Sequence, residues 1–341
     1  MVRLGKYEFD KPIVLAPMED VTDMSFRLIC KELGADIVYT EFVNSEGLIR
    51  DSLKTQKKME FSESERPFGI QIYGGEELSM ESAARIVDSY EPDLIDINCG
   101  CWVRNVVGSG AGAGLLKDLP KMERIVSSVV KATKRPITVK TRLGWDSENI
   151  RIVEVAQMLE QAGVSLLTVH CRTRAQGHKG EADFSWIPRV KSAVSIPIFI
   201  NGSLNSPEMI RNAFEETGCD GVMVARGAID NPWLFRQAKG FLRTGRLESL
   251  PTLEEKFAVM LRQLDLAVLS KGERKGVVEF RKHYSGYLKG LSNASKFRNE
   301  VMKSVQLDQV KECVTDYYEK LISDESDKVQ YLGELSVAEE S

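Results

Sequence analysis

The amino-acid sequence predicts a (β/α)8 TIM barrel followed by a small C-terminal α-helical bundle. Eight short β-branched runs recur through the first two thirds of the chain, each followed by a longer amphipathic stretch. From residue 252 onward the pattern is helical only. Alternation of this kind over about 230 residues fits a closed barrel better than a doubly wound sheet.

In order, strands are expected at 13–16, 36–40, 69–73, 94–98, 137–140, 166–170, 198–201 and 221–225. Pro197 stands directly before the seventh run, where a strand tolerates proline. Helical patterns fill 25–33, 76–89, 120–132, 149–162, 184–192 and 207–216. Ser206 followed by Pro207 supplies a capping side chain and then a proline at the first helical position. A further helix contains Trp233, Leu234 and Phe235, and residues 243–251 read as a linker. Thr252 with Glu255 forms a capping-box pattern. Helices at 253–269, 277–288, 294–305 and 310–322 have short connections, which implies antiparallel packing. The expected units are a barrel over 1–242, a helical unit over 252–323 and an acidic, mobile tail over 324–341.

With 43% apolar and 28% charged residues, the composition is that of an ordinary globular protein. Six cysteines without paired spacing, no signal peptide and no apolar run near 18 residues predict a cytoplasmic protein with reduced thiols, away from the membrane. The three histidines (170, 178, 283) are too far apart, and too poor in acidic neighbours, for a metal site. The net charge of −4 argues against a generic nucleic-acid binder, but it hides a polarity. Residues 271–306 carry nine Lys and Arg against three Glu, and residues 307–341 carry ten acids against three lysines. The basic block reads either as a polyanion contact or as a well-solvated helix face.

In a barrel the chemistry sits at the C-terminal ends of the strands. Those ends offer Ala16-Pro17-Met18, Glu41, Gln71, Asn98 with Cys101, Lys140 with Arg142, His170 with Arg172 and Arg174, Asn201-Gly202 and Ala225-Arg226. Gly202 and Arg226 suit a phosphate, and Gln71 and Asn98 suit a planar heterocycle with amide-like edges. Lys140 and His170 place positive charge beside such a ring, a combination that fits flavin mononucleotide (FMN). For Gln71 and Asn201 a local backbone hydrogen bond is an equal alternative. Cys101 follows a strand and precedes four glycines at 108, 110, 112 and 114; it reads as a reactive thiol or as a small, half-buried apolar residue.

These residues fall in a known arrangement. The runs Ala16-Pro17-Met18-Glu19-Asp20-Val21-Thr22-Asp23, Gln71-Ile72-Tyr73-Gly74, Val139-Lys140-Thr141-Arg142-Leu143-Gly144-Trp145 and Val169-His170-Cys171-Arg172-Thr173-Arg174, with Asn201-Gly202, Ala225-Arg226-Gly227 and Arg281-Lys282-His283, resemble the signatures of tRNA-dihydrouridine synthases. The resemblance spans residues 8–305, in order and at matching spacing. It implies FMN as cofactor, NADPH (or NADH) as reductant and tRNA as partner of a monomeric enzyme. Hydride would pass to uridine C6, and Cys101 would give a proton to C5. It further implies flavin contacts at Ala16, Pro17, Met18, Gln71, Lys140, His170, Asn201, Gly202, Ala225 and Arg226. Uridine or RNA contacts would come from Asn98, Arg174, Arg281, Lys282 and His283, with the target base extruded from its stack. Trp102 departs from the family's usual proline after the cysteine, Cys99 adds a second thiol, and Glu19-Asp20 replace small residues. Competing readings are the same chemistry on ribosomal RNA, a small-molecule flavin reductase of dihydroorotate dehydrogenase type, and an RNA-binding barrel that has lost catalysis.

Overall fold

A computed structural model describes residues 1–323. The expected tail at 324–341 lies outside the described residues. Eight parallel strands form the barrel: β1 Ile13–Leu15, β2 Val38–Tyr39, β3 Phe68–Tyr73, β4 Leu94–Asn98, β5 Ile137–Arg142, β6 Leu166–His170, β7 Ile198–Asn201 and β8 Gly221–Val224. Their order around the sheet is β1-β8-β7-β6-β5-β4-β3-β2. Leu15 donates its N–H to the Ile37 carbonyl and Asp36 donates to that of Ile13, which brings the two ends of the sheet together. The alternating helices match the predicted pattern. Helix Pro207–Thr217 begins on Ser206, whose side chain accepts from the Met209 N–H at 3.2 Å, as its sequence predicts.

Parallel strands covered by helices are buried on both faces, and here the buried runs are β-branched and apolar with single polar residues set among them, such as Gln71, Asp96 and Thr138. All five residues of β4 are buried. An antiparallel hairpin, Val2–Leu4 with Tyr7–Phe9, was not expected, because three-residue strands leave little periodicity to detect. Val2 and Leu4 join Val14, Ile37, Leu94, Leu166, Phe199 and Met223 inside the ring. The hairpin thereby closes the barrel floor, leaving the opposite mouth for chemistry.

The C-terminal helices pack on the barrel through a second core. Ile29, Leu33 and Trp233 from the barrel share it with Phe257, Met260, Leu264, Phe280, Tyr284, Tyr287 and Phe297. Thr252 caps helix Leu253–Lys271 by accepting from the Glu255 N–H at 3.1 Å. The Glu255 carboxylate accepts instead from Trp233 Nε1 at 2.8 Å and Arg236 Nη1 at 3.0 Å, so half of the expected capping box ties the units together. The helix expected at 277–288 is divided into Glu273–Phe280, a 3-10 turn Arg281–His283 and Tyr284–Tyr287. Gly286 passes so close to the barrel that a side-chain carbon there would lie 1.9 Å from the Ile229 carbonyl oxygen. No helix among the described residues is long and apolar enough to cross a membrane.

Candidate active site

At the C-terminal mouth of the barrel, Ala16, Pro17, Met18, Asn98, Cys101, Lys140, His170, Asn201, Gly202, Ala225 and Arg226 line one cavity of about 500 Å³. Arg142, Arg172, Trp102 and His178 also face it. Nine of the ten residues expected to hold a cofactor therefore meet there. Gln71 is the exception. It is fully buried beside the cavity-lining Asn98, donating to Asp96 Oδ2 at 2.5 Å and accepting from Asn98 Nδ2 at 2.9 Å.

The thiol is placed by its own loop. Asn98, the last residue of β4, turns its Oδ1 back to accept the N–H groups of Gly100 at 3.1 Å and Cys101 at 2.9 Å. The Cys101 carbonyl accepts from the Ala113 N–H at 2.9 Å. Gly112 allows this approach: its φ is +56°, and a side-chain carbon there would lie 2.8 Å from the Cys101 oxygen. Burial pushes the Cys101 thiol up, against the pull of Arg142 and Lys140, so the sulfur keeps its proton at neutral pH. Cys99, one side of the strand away, is wholly buried and packs in the core.

Cations dominate the wall opposite. Burial, reinforced by Arg142, brings Lys140 down to about 8. Burial among Lys140, Arg142 and Arg172 holds His170 well below the usual histidine range, as a neutral ring. Arg172 Nη1 sits 3.3 Å from His170 Nε2 and its Nη2 donates to Ser203 Oγ at 2.8 Å. Asn201 Nδ2 donates to the Met223 carbonyl at 2.7 Å, which leaves its Oδ1 as the free hydrogen-bonding group. Gly202, at φ +125°, has no room for a side chain: an added carbon would lie 3.1 Å from Ala182 and 3.2 Å from Arg172. Of the acids at the rim, Glu19 and Glu41 share Lys58, while the Asp20 carboxylate forms no ion pair among the described residues; only its backbone N–H bonds, donating to Glu41 at 2.6 Å, so the three carboxylates form an acidic cluster there.

This donor set fits FMN: Lys140 and Arg226 form no ion pair among the described residues, Asn201 offers an acceptor, and Gly202 opens backbone where a side chain would intrude. Sequence reasoning gave Arg142 no role. Its buried guanidinium donates to the carbonyls of Gly100 (2.7 Å), Thr173 (3.0 Å) and Gly177 (2.8 Å), joining the cysteine loop to the loop after β6. The alternation Lys140, Thr141, Arg142 places it on the same strand face as Lys140, a signal that was available. Trp102 is partly exposed, and its indole Nε1 donates to His178 Nε2 at 3.3 Å.

The expected RNA contacts are only partly accessible. Arg174 lies outside the cavity, over the Trp145 ring at 4.5 Å from its centre. His283 is 2% exposed between Phe26 and Phe280, with neither ring nitrogen hydrogen-bonded. Arg281 donates inward to the Met302 and Ser304 carbonyls. Lys282 is half-buried. The predicted shared surface of 281, 282, 283 and 289 therefore does not form, because the 3-10 turn rotates His283 into the core. The exposed cations of this block are Arg274, Lys289, Lys296 and Lys303, besides Lys275, which pairs with Glu279.

Residues 14–323 match the family model for dihydrouridine synthase (Dus). The chain is 39% identical over 298 residues to tRNA-dihydrouridine synthase B of Pseudomonas aeruginosa, covering 87% of this chain and 90% of that protein. It is 34% identical to a probable tRNA-dihydrouridine synthase of Rickettsia bellii, over 95% of this chain and the whole of that one. Among solved structures, histamine dehydrogenase from Rhizobium sp. 4-9 shares the fold, with a TM-score of 0.58 at 14% identity over 78% of this chain and 50% of its own.

Proposed function

The chain belongs to the dihydrouridine synthase family of flavin oxidoreductases, and from that premise we propose that it reduces the C5=C6 bond of a uridine in tRNA, with Cys101 as proton donor. The observation that carries this reading is a protonated, half-buried thiol held on a fixed loop in the same cavity as Lys140, His170, Asn201, Gly202 and Arg226. FMN would supply the hydride for C6 and be re-reduced by NADPH or NADH.

The chain's own residues do the rest. Lys140 neutralises negative charge beside the flavin ring, and an anion set against it pulls its pKa back up. Neutral His170 donates or accepts a single hydrogen bond, its orientation fixed by Arg172. Gly202 and Arg226 hold the phosphate, and Asn201 the ring edge, with Ala16, Pro17, Met18 and Ala225 packing around them. Cys101 holds the proton destined for C5 and stays uncharged until the base carbon needs it. On this reading the barrel, 1–242, holds the flavin, and the helical unit, 252–323, holds the RNA. The protein acts as a cytoplasmic monomer.

Cys101→Ala should keep its yellow flavin and its reduction by NADPH, yet lose at least about a hundredfold in dihydrouridine formation, the usual scale of a general acid. Wild-type turnover in that variant would sink the role of the thiol. Mass mapping of dihydrouridine in transfer and ribosomal RNA, from cells with and without the gene, decides the substrate. Loss confined to ribosomal RNA would overturn the assignment to tRNA.

A further inference from the structure

One buried carboxylate has no part in the flavin and thiol chemistry. Asp96, in the middle of β4, is fully buried among strands. Its Oδ2 accepts from Gln71 Nε2 and its Oδ1 accepts from Thr138 Oγ1. Gln71 Oε1 then accepts from Asn98 Nδ2, and Asn98 Oδ1 accepts from the Gly100 and Cys101 N–H groups. The chain of hydrogen bonds runs without a gap from the barrel interior to the thiol's own backbone.

Each link has a direction. Backbone N–H groups can only donate, so they require the oxygen of Asn98, not its NH2. A carboxylate can only accept, so it requires the NH2 of Gln71. The two amides between these ends then have one arrangement in which every donor meets an acceptor. Reversing either amide sets oxygen against oxygen or N–H against N–H, and at Gln71 and Asp96 this falls among fully buried groups. Both Asp96 oxygens accept, from Gln71 and from Thr138, the arrangement an ionised carboxylate takes; burial raises the group to about 6 against the pull of those bonds and of the Lys140 charge.

We propose that Asp96 is a positioning residue for Cys101, acting through the side-chain amides of Gln71 and Asn98 to hold the cysteine loop at the cavity wall. This deepens the reading of Cys101 as proton donor and leans on it for turnover alone; the placement of the loop can be read separately. Gln71, expected at the flavin, on this account also links the carboxylate to the loop.

Cys101 and Cys313 are the two half-exposed cysteines, and the other four are buried. In a Cys313→Ser background, iodoacetamide labelling followed by mass spectrometry thus reports on Cys101. Asp96→Asn admits the reversed amide, and Gln71→Met cuts the relay. Each should speed Cys101 labelling about threefold or more as the loop loosens, and slow RNA reduction about tenfold, and Asp96→Asn should leave flavin content unchanged. Asp96→Asn should add nothing further to Asn98→Ala, since both act through one amide. A folded Asp96→Asn protein that labels and turns over like wild type overturns the proposal, as do losses that multiply with those of Asn98→Ala. Should Asp96→Asn fail to fold, Gln71→Met decides on the same criteria. Faster labelling with wild-type RNA reduction would support the positioning and overturn the catalytic role of Cys101.

Discussion

At the scale of single residues, the mouth of the barrel is organised by side chains bonded to loop backbone. Arg142 serves three carbonyls on two loops, and Asn98 serves two amides on one. Lysine has the charge of arginine but not its planar fork, so Arg142→Lys should leave at least one of those carbonyls unpaired. We expect a loss of about 1–3 kcal/mol in urea denaturation and a clear fall in RNA reduction, with flavin retained. Unchanged stability would show that the loops are held by something else. Strand periodicity and motif spacing located the residues of the mouth but not their depth. A residue two positions along a strand shares the face yet sits in another layer, which is why the burial of Gln71 and its bonds to Asp96 and Asn98 could not be read from its position.

At the scale of elements, the junction between helix Met24–Glu32 and helix Leu253–Lys271 is tuned by ionisation. Asp23 caps the first by accepting from the Phe26 N–H, and it pairs with Lys271, which also meets Glu279. Burial opposes the Asp23 charge, but Lys271, Ser25 and the Phe26 amide hold it down at about 2. Burial, opposed by Asp23 and aided by Lys282 and Lys271, brings His283 down to about 4. Both groups are depressed relative to the unfolded chain, so both stabilise at neutral pH. The histidine contribution, on the order of 3 kcal/mol, is lost as pH falls from about 6.5 to 4; the aspartate contribution, on the order of 2 kcal/mol, is lost from about 4 to 2. His283→Phe, which keeps the ring contacts, should flatten the decline in denaturation midpoint between pH 6.5 and 4. A slope equal to wild type would remove His283 from the account. The barrel strands were legible because each is a short run rich in Ile, Val and Leu, followed by a longer amphipathic stretch. The division of 277–288 was not, since it depends on how closely Gly286 approaches Ile229 across nearly sixty residues of chain.

At the scale of the whole molecule, the basic block is partly spent internally. Lys271, Lys275 and Arg281 are engaged with Asp23, Glu279 and backbone carbonyls. Charge counting revealed the block but not which of its members face outward. Lys289, Lys296 and Lys303 are exposed and form no ion pair among the described residues. Replacing all three with alanine should weaken tRNA binding roughly tenfold and lower the slope of log affinity against log salt by about one for each phosphate no longer neutralised. Filter binding at several salt concentrations reads both. An unaltered slope would move the RNA grip away from this unit.

Because Ile29, Leu33 and Trp233 are covered by the helical unit, the physical seam of the protein runs through the first barrel helix and not along the linker. A cut at residue 252 would strip an apolar face bare and invite aggregation, so loss of activity on truncation says little about RNA. For the same reason, exchanging helical units between relatives means carrying the outer face of helix Met24–Glu32 with them. Substrate preference can drift freely on the solvent side of the bundle, while its inner side must change in step with the barrel.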